Sequence, residues 1–105
     1  MMHKREHILD KIKEVIRSIE PSAKMILFGS RARGDAQEDS DWDILILVDK
    51  EKIKHEDFDT IAYPIIELGW QINEPIHPIL YTFKEWAKRS FTPLYKNIEQ
   101  DGILL

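Results

Sequence analysis

An unbroken apolar run near the middle of the chain constrains the fold more than any other feature. Residues 44–48 read Ile-Leu-Ile-Leu-Val. Successive side chains of a strand point to opposite faces, so a run without polar residues is buried on both of them. The run therefore predicts a strand over about Trp42–Val48, in the middle of a sheet that helices cover on both sides.

Apolar periodicity and capping signals predict the helices. The first is amphipathic, carries the apolar residues from Ile8 to Ile19 and stops before Pro21. Pro64 should kink or divide the second helix. Thr82 and Glu85 have capping-box spacing at the start of the third. The later predicted helices span about His55–Gly69, Thr82–Lys88 and Thr92–Gly102, the last with Pro93 at its first position and Gly102 as its stop.

Two further strands are expected, one before and one after the central strand in the chain. The first spans about Lys24–Phe28 and the second about Ile76–Tyr81. Pro78 lies inside the second and Pro75 directly precedes it, which suits an edge strand because proline cannot donate to the ladder. The apolar residues 103–105 are expected to pack rather than extend into solvent. There are no internal repeats or linkers, so residues 1–105 are interpreted as a single domain.

Composition limits the classes of function. With 15 basic and 19 acidic residues the net charge is −4, which offers no electrostatic footprint for direct binding of nucleic acid. There is no cysteine and no apolar run long enough to span a membrane. We expect a soluble, cytoplasmic protein. A chain of 105 residues builds only a modest core, so docking with a partner or with itself as a homo-oligomer would add stability.

Two aspartates introduce the central strand. Asp41 and Asp43 are separated by one residue, so both carboxylates project from the same side, while Trp42 points away from them and packs under a helix. Carboxylates spaced in this way can hold a pair of divalent cations, an arrangement that serves phosphoryl and nucleotidyl transfer. The sequence therefore predicts a metal site at the start of this strand.

A glycine-containing turn follows the first strand. Gly29 allows the main chain to approach a ligand closely, and Ser30 is expected to cap a short helix and to donate to a phosphate oxygen. Arg31 and Arg33 are placed to neutralise phosphate charge, although Arg33 could instead pair with Asp35. The run is not a P-loop, because it lacks the Gly-Lys-Ser/Thr ending of that motif.

The inverted zinc-protease pattern His-x-x-Glu-His occurs at residues 3–7. It is interpreted as a solvated helix start, because no third ligand accompanies it.

Taken together, the spaced motifs resemble a known family. Gly-Ser-x-Ala-Arg-Gly at residues 29–34 and Ser-Asp-x-Asp at residues 40–43 resemble the minimal nucleotidyltransferases of the DNA polymerase beta superfamily. The resemblance implies a small mixed sheet flanked by helices, an α/β (α+β) fold. It also implies two Mg²⁺ ions, replaceable by Mn²⁺, on Asp41 and Asp43, with phosphates near Gly29, Ser30 and Ser40. The implied reaction transfers a nucleoside monophosphate, AMP when the donor is ATP.

Members of that superfamily generally present a further acid on a neighbouring strand, and the predicted strand Ile76–Tyr81 contains none. Glu74 precedes this strand and could reach the site if the strand begins early. His77 could act as a neutral base or as a metal ligand. A site with only two acids is the third alternative, and the sequence leaves all three open.

The resemblance also implies a partner. Minimal nucleotidyltransferases commonly occur as antitoxins beside small helical HEPN proteins, and some add AMP to a tyrosine of the toxin. The expected acceptor is thus a hydroxyl on a partner protein, docked against apolar surface from Phe91, Tyr95 and residues 103–105. The alternatives are a nucleotide- or partner-binding module without turnover and a transferase acting on small molecules.

Overall fold

The strand that the apolar run 44–48 predicts is an inner strand of a mixed four-stranded sheet. The computed structural model describes residues 4–105. In the order β3-β2-β1-β4, β2 pairs in parallel with β3 and antiparallel with β1, and β4 pairs antiparallel with β1. The strands are β1 (Lys24–Phe28), β2 (Trp42–Val48), β3 (Ile76–Thr82) and β4 (Ile103–Leu104). The mixed sheet, the inner position of β2 and the edge position of β3 confirm the predictions.

The helices cover both faces of this sheet. They are α1 (Lys4–Ile19), α2 (Ser30–Arg33), α3 (His55–Asp57), α4 (Tyr63–Ile72), α5 (Phe83–Ala87) and α6 (Pro93–Asp101). A π-helical turn, Phe58–Ala62, separates α3 from α4. Pro64 follows it in the first turn of α4, where a missing N–H is tolerated. The predicted division of this helix is therefore correct, and the helix ends at Ile72 rather than Gly69.

The side chains of β2 alternate between two hydrophobic clusters. Trp42, Ile44, Ile46 and Val48 join the larger cluster with α1 and α4. On the opposite face, Leu45 and Leu47 pack with side chains of α5 and α6, chiefly Trp86 and Ile98. Burial on both faces explains why β2 carries no polar residue after Asp43.

The predicted helix caps near the end of the chain are present. Thr82 accepts a hydrogen bond from the Glu85 N–H at 2.9 Å, and the Glu85 carboxylate accepts from the Thr82 N–H at 3.0 Å. Thr92 accepts from the Tyr95 N–H at 3.2 Å. The chain end does more than pack, since β4 extends the sheet beside β1 and the Leu105 N–H donates to the Met25 carbonyl at 2.9 Å.

Among residues 4–105, no helix has the length and apolarity that crossing a membrane requires. His3 of the His-x-x-Glu-His pattern lies outside the described residues. Glu6 and His7 of that pattern are exposed on α1.

Candidate functional site

The pairing of β1 with β2 places the glycine turn directly against an aspartate. Phe28, the last residue of β1, pairs with Asp43. Gly29 follows with φ 74° and ψ −158°, a combination that is essentially restricted to glycine. A Cβ atom at this position would lie 2.4 Å from Oδ2 of Asp43. Only glycine therefore allows the turn and the carboxylate to approach so closely.

The helix α2 begins one residue earlier than predicted. Gly29 is its N-cap, and the Gly29 carbonyl accepts hydrogen bonds from the N–H groups of Ala32 and Arg33, both at 3.0 Å. The prediction of Ser30 as the cap is wrong, because Ser30 is already helical and makes no capping hydrogen bond. Gly34 ends α2 in the left-handed conformation, with φ 87°. The Ser30 hydroxyl thus lies in the first turn of α2, beside the glycine that contacts Asp43.

His77 occupies the position on β3 that faces Asp43. The two residues are register partners, and His77 Nδ1 lies 3.2 Å from Asp43 Oδ1. An ionised carboxylate only accepts hydrogen bonds, so Nδ1–H of the imidazole is the donor. The Asp43 side chain is 23% exposed and that of His77 is 61% exposed. One Asp43 oxygen is therefore held by His77, while the other faces the Gly29 turn.

Asp41 lies just before β2 and is exposed. Trp42, which separates the two aspartates, is buried against α1 and α4 as predicted. No group of three or more histidine, cysteine or acidic side chains in the described part of the chain is arranged to hold a metal ion. Mg²⁺ is nevertheless commonly held by one or two carboxylates together with phosphate oxygens of the substrate. Asp41 and Asp43 beside the Gly29 turn, where phosphate is expected to bind, fit this requirement.

Glu74 is not brought to the carboxylates. It is 6% exposed, accepts a hydrogen bond from Trp42 Nε1 at 3.1 Å and pairs with Lys4 at 2.6 Å. Burial opposes ionisation, but the hydrogen bonds from Lys4 and Trp42, together with the positive charges of Lys4 and Arg31, outweigh it and hold the pKa of Glu74 below its usual value. Because Trp42 packs on the face of the sheet opposite to Asp43, these contacts favour a structural role for Glu74 over the predicted role of base.

Arg31 anchors the loop that leads to the aspartates. Its guanidinium donates to the Ser40 carbonyl at 2.9 Å and to the Glu38 carbonyl at 3.1 Å. It also lies 4.4 Å from the centroid of the Trp42 ring, a cation–π contact. Its side chain is only 16% exposed. These contacts favour a positioning role for Arg31 over the predicted contact with phosphate.

Ser40 and Arg33 are the remaining predicted site residues. The Ser40 hydroxyl accepts a hydrogen bond from the Gln37 N–H at 2.8 Å, which closes the loop before Asp41. Arg33 Nε lies 3.3 Å from Asp35, the ion pair that the sequence left as an alternative, and both side chains are exposed. An exposed pair of this kind contributes little stability, so Arg33 can exchange Asp35 for a phosphate at small cost.

The sequence did not predict that Arg31 would stack on Trp42 or that Trp42 would donate a hydrogen bond to Glu74. The pattern contained one usable signal, a tryptophan between two acids, which placed the indole in the core. It did not reveal which buried carboxylate the indole N–H would reach, because Glu74 is separated from Trp42 by 32 positions.

The chain is similar to known proteins in its family and in its fold. A family model described as a nucleotidyltransferase domain matches residues 9–105. Among solved structures, the fold is similar to that of a toxin–antitoxin crystal structure with AMP-PNP, at 18% identity, 90% coverage of this chain, 69% of that chain and a TM-score of 0.63.

Two mutants of the toxin–antitoxin MntA-HpeT are similar as well. The first matches at 18% identity over 92% of this chain and 69% of its own, with a TM-score of 0.58. The second matches at 16% identity over 90% of this chain and 69% of its own, with a TM-score of 0.61. A comparison with curated proteins finds no match. Since the family match covers residues 9–105, the chain belongs to the nucleotidyltransferase domain family, a family of transferases.

Proposed function

We propose that this protein transfers a nucleoside monophosphate, AMP with ATP as donor, to a hydroxyl group on a partner protein. The observation that carries the proposal is the contact between the Gly29 turn and Asp43. The turn can approach phosphate, and the carboxylate can hold the cation that accompanies phosphate. The two lie so close together that a Cβ atom at Gly29 would clash with Asp43. A stability role alone does not require this proximity, because two neighbouring strands can be joined by other turns.

The residues of the site have separate tasks in this proposal. The Gly29 turn and the Ser30 hydroxyl bind the phosphates, and Arg33 neutralises part of their charge. Asp41 and Asp43 would hold the divalent cations, Mg²⁺ or Mn²⁺, which when bound stabilise charge on the transferred phosphoryl group and lower the pKa of the attacking hydroxyl. Arg31 fixes the loop before Asp41, so that this carboxylate need not be ordered when substrate binds.

His77 lies beside Asp43 on β3, the neighbouring strand on which the family resemblance leads us to expect a further acid. Its hydrogen bond to Asp43 Oδ1 orients the carboxylate with Oδ2 toward the Gly29 turn. We assign His77 a positioning role on this basis, because the contact with Asp43 is the interaction that the structure provides. An imidazole N–H donor in place of a third carboxylate also avoids a repulsion between acids.

The proposed partner is the toxin of a toxin–antitoxin pair. The support is the similarity of the fold to three toxin–antitoxin structures, one of them with AMP-PNP. The family resemblance suggests a small helical HEPN protein as that toxin. A binding module without turnover and a transferase for small molecules are the competing functions, and the labelling experiment in the Discussion separates them.

Calorimetry tests the nucleotide site directly. Wild-type protein should bind ATP in the presence of Mg²⁺, and the double variant Asp41→Asn/Asp43→Asn should not, because the cation links the carboxylates to the triphosphate. The matched control is Asp49→Asn/Asp59→Asn, which makes the same change of charge at two exposed residues outside the site. Equal ATP binding in excess chelator, or by both double variants, would contradict the metal-dependent site.

A further inference from the structure

A small cavity adjoins the phosphate-binding turn. Its volume is about 190 Å³, and its lining is shared between the turn and the helix α6. The turn contributes Phe28, Gly29 and Arg33, and α6 contributes Leu94, Asn97, Ile98 and Asp101. Phe28, Leu94 and Ile98 belong to the cluster on the same face of the sheet as Leu45 and Leu47. By strand alternation this is also the face of Asp43.

The wall that α6 forms is held closely against the sheet. Ile98 is 3% exposed. A Cβ atom at Gly102, just after α6, would lie 2.8 Å from a methyl carbon of Ile26 on β1. Such close packing leaves α6 little freedom to move away from β1. The cavity is therefore a fixed feature of the fold rather than a gap beneath a loose helix.

The cavity is suited to part of a nucleotide. Pockets that bury a whole drug-sized ligand measure about 300–1,000 Å³, so a space of about 190 Å³ would accept only a fragment such as a base. Three apolar side chains can pack against a flat ring. The Asn97 amide offers both a donor and an acceptor to the edge of that ring.

The two ends of the cavity carry opposite charges, from Arg33 on one side and Asp101 on the other. Arg33 and the Gly29 turn favour phosphate at one end. The Asp101 carboxylate, on the α6 side, repels phosphate and accepts hydrogen bonds from hydroxyl or amino groups. A ligand with phosphates at one end and hydroxyl and amino groups at the other matches this polarity, and a nucleotide has that composition.

We infer that the cavity between α6 and the Gly29 turn is the nucleoside subsite, in which Asn97 hydrogen-bonds the edge of the base. This inference rests on the proposed function, because it takes the phosphates to lie at Gly29 and Ser30. It adds residues of α6 that no sequence motif indicated.

The test compares ATP with tripolyphosphate, which carries the phosphates without the nucleoside. Both are titrated by calorimetry in the presence of Mg²⁺. Asn97→Ala should weaken ATP binding about three- to tenfold, the loss expected for one or two hydrogen bonds, and leave tripolyphosphate binding unchanged. Leu94→Trp, which fills the cavity, should weaken ATP binding further and also spare tripolyphosphate. Gln100→Ala, an exposed residue of α6 outside the cavity lining, is the matched control.

Arg33→Ala is the reciprocal variant, and it should weaken both ligands because it acts on phosphate. If Asn97→Ala and Leu94→Trp bind ATP like the wild type, the subsite assignment is wrong while the phosphate site stands. If they weaken ATP and tripolyphosphate equally, α6 supports the turn and does not hold the nucleoside. If wild-type protein binds neither ligand, the proposed function fails and this inference fails with it.

Discussion

At Gly29 two independent constraints meet in one residue. Its backbone adopts φ 74° and ψ −158°, and an added Cβ atom would approach Asp43 Oδ2 to 2.4 Å. Gly29→Ala should therefore lower the free energy of unfolding by about 1–3 kcal/mol through backbone strain. It should also displace the Asp43 carboxylate and abolish Mg²⁺-dependent ATP binding. Urea denaturation and calorimetry measure the two effects separately.

Gly34→Ala is the matched control for this change. Gly34 also has a positive φ, 87°, but an added Cβ would have no atom within 4 Å. The control should lose about 1–2 kcal/mol of stability, the cost of the left-handed conformation, and keep its affinity for ATP. Equal loss of ATP binding in both variants would show that backbone strain, and not the contact with Asp43, controls the site.

His77 tests how Asp43 is oriented. His77→Asn places an amide N–H near the position of Nδ1–H and has no basic nitrogen, whereas His77→Ala removes the donor. If His77 positions Asp43, the Asn variant should keep most of the transfer activity and the Ala variant should lose it. Single-turnover rates and ATP affinities should be measured for both, since orientation of a group acts on the chemical step.

The competing role for His77 predicts a different pattern. A general base contributes about 10²–10⁴-fold to a rate. If the Asn and Ala variants lose transfer to this extent while ATP binding stays intact, His77 is the base and the positioning role is wrong. Wild-type rates in both variants would leave Asp41 and Asp43 as a site with only two acids.

At the scale of elements, Glu74 connects α1, the beginning of β2 and the segment just before β3. Its carboxylate contacts Lys4 on α1 and Trp42 on β2. Glu74→Gln should lower the free energy of unfolding at neutral pH by about 1–3 kcal/mol, since hydrogen bonds to a buried charged group are lost. The predicted effect on ATP affinity is small, because Glu74 does not touch the phosphate turn.

The pH dependence of this effect follows from the lowered pKa of Glu74. A carboxylate with a folded pKa below its unfolded value, about 4.3 for Glu, contributes its full stabilisation above the unfolded value. That contribution is lost as the pH falls through the folded pKa. The difference in stability between wild type and Glu74→Gln should thus be constant from about pH 6 to 8 and shrink below about pH 4.

Glu67→Gln, at an exposed position of α4, is the control for the change of charge in that series. Its stability should follow that of the wild type within about 0.5 kcal/mol. A Glu74→Gln effect that is the same at pH 3 and pH 7 would show that packing, and not the ionised carboxylate, stabilises this connection.

Elements with strong local signals could be predicted from the sequence, and elements that depend on tertiary contacts could not. The apolar run of β2 and the Thr82 and Thr92 caps act through neighbouring residues, which explains their correct prediction. The strand β4 has only two residues, and its pairing with β1 exists because α6 returns the chain there. Ser30 has the composition of a cap, but the positive φ of Gly29 begins the helix one residue earlier.

In the candidate site, too, the positions set by local sequence could be predicted and those set by tertiary contacts could not. The sequence could place Asp41 and Asp43 on one side of β2 and Gly29 at the end of β1, because spacing along one strand and one turn determines these positions. The partners Glu74 and His77 depend on the register of β3 against β2, which a sequence pattern does not specify. Asn97 is still more distant, since only the packing of α6 brings it to the turn.

Large apolar side chains are exposed on the surface of the part of the molecule that the structure describes, residues 4–105. Phe91 is 75% exposed and Leu104 is 62% exposed. Tyr95, expected on the same surface, instead packs against Trp86 with ring centroids 5.0 Å apart. Leu105 likewise packs against the larger core cluster. The apolar surface expected to meet a partner is thereby reduced to Phe91, Ile103 and Leu104.

A partner that covers this surface should depend on it for binding but not for folding. Phe91→Ser/Leu104→Ser should weaken association with the partner by at least tenfold, because exposed aromatic and aliphatic anchors dominate interface energies. Lys88→Ser/Gln100→Ser, two other exposed residues, should bind like the wild type. Analytical ultracentrifugation of the mixed proteins measures both. Unchanged binding of the Phe91→Ser/Leu104→Ser variant would place the interface elsewhere.

The whole molecule also determines whether transfer requires that partner. The elements of residues 4–105 are one four-stranded sheet and its helices, and in the proposed function the acceptor hydroxyl belongs to the partner. Incubation with labelled ATP, Mg²⁺ and the protein encoded by the neighbouring gene should therefore label a hydroxyl residue on the neighbour. Asp43→Asn should prevent labelling without preventing association, because Asp43 lies at the proposed nucleotide site and not on the apolar surface.

Three other results would each change the assignment. If Asp43→Asn binds and silences the neighbour as well as the wild type, and the wild type leaves no label, the protein is a binding module and not a transferase. If a small hydroxylated compound is labelled and no neighbour binds, the toxin–antitoxin role is wrong while transfer of a nucleoside monophosphate stands. If the neighbour is labelled equally by the Asp43→Asn variant, the label does not come from this site, since loss of a metal-binding carboxylate must reduce the chemical step.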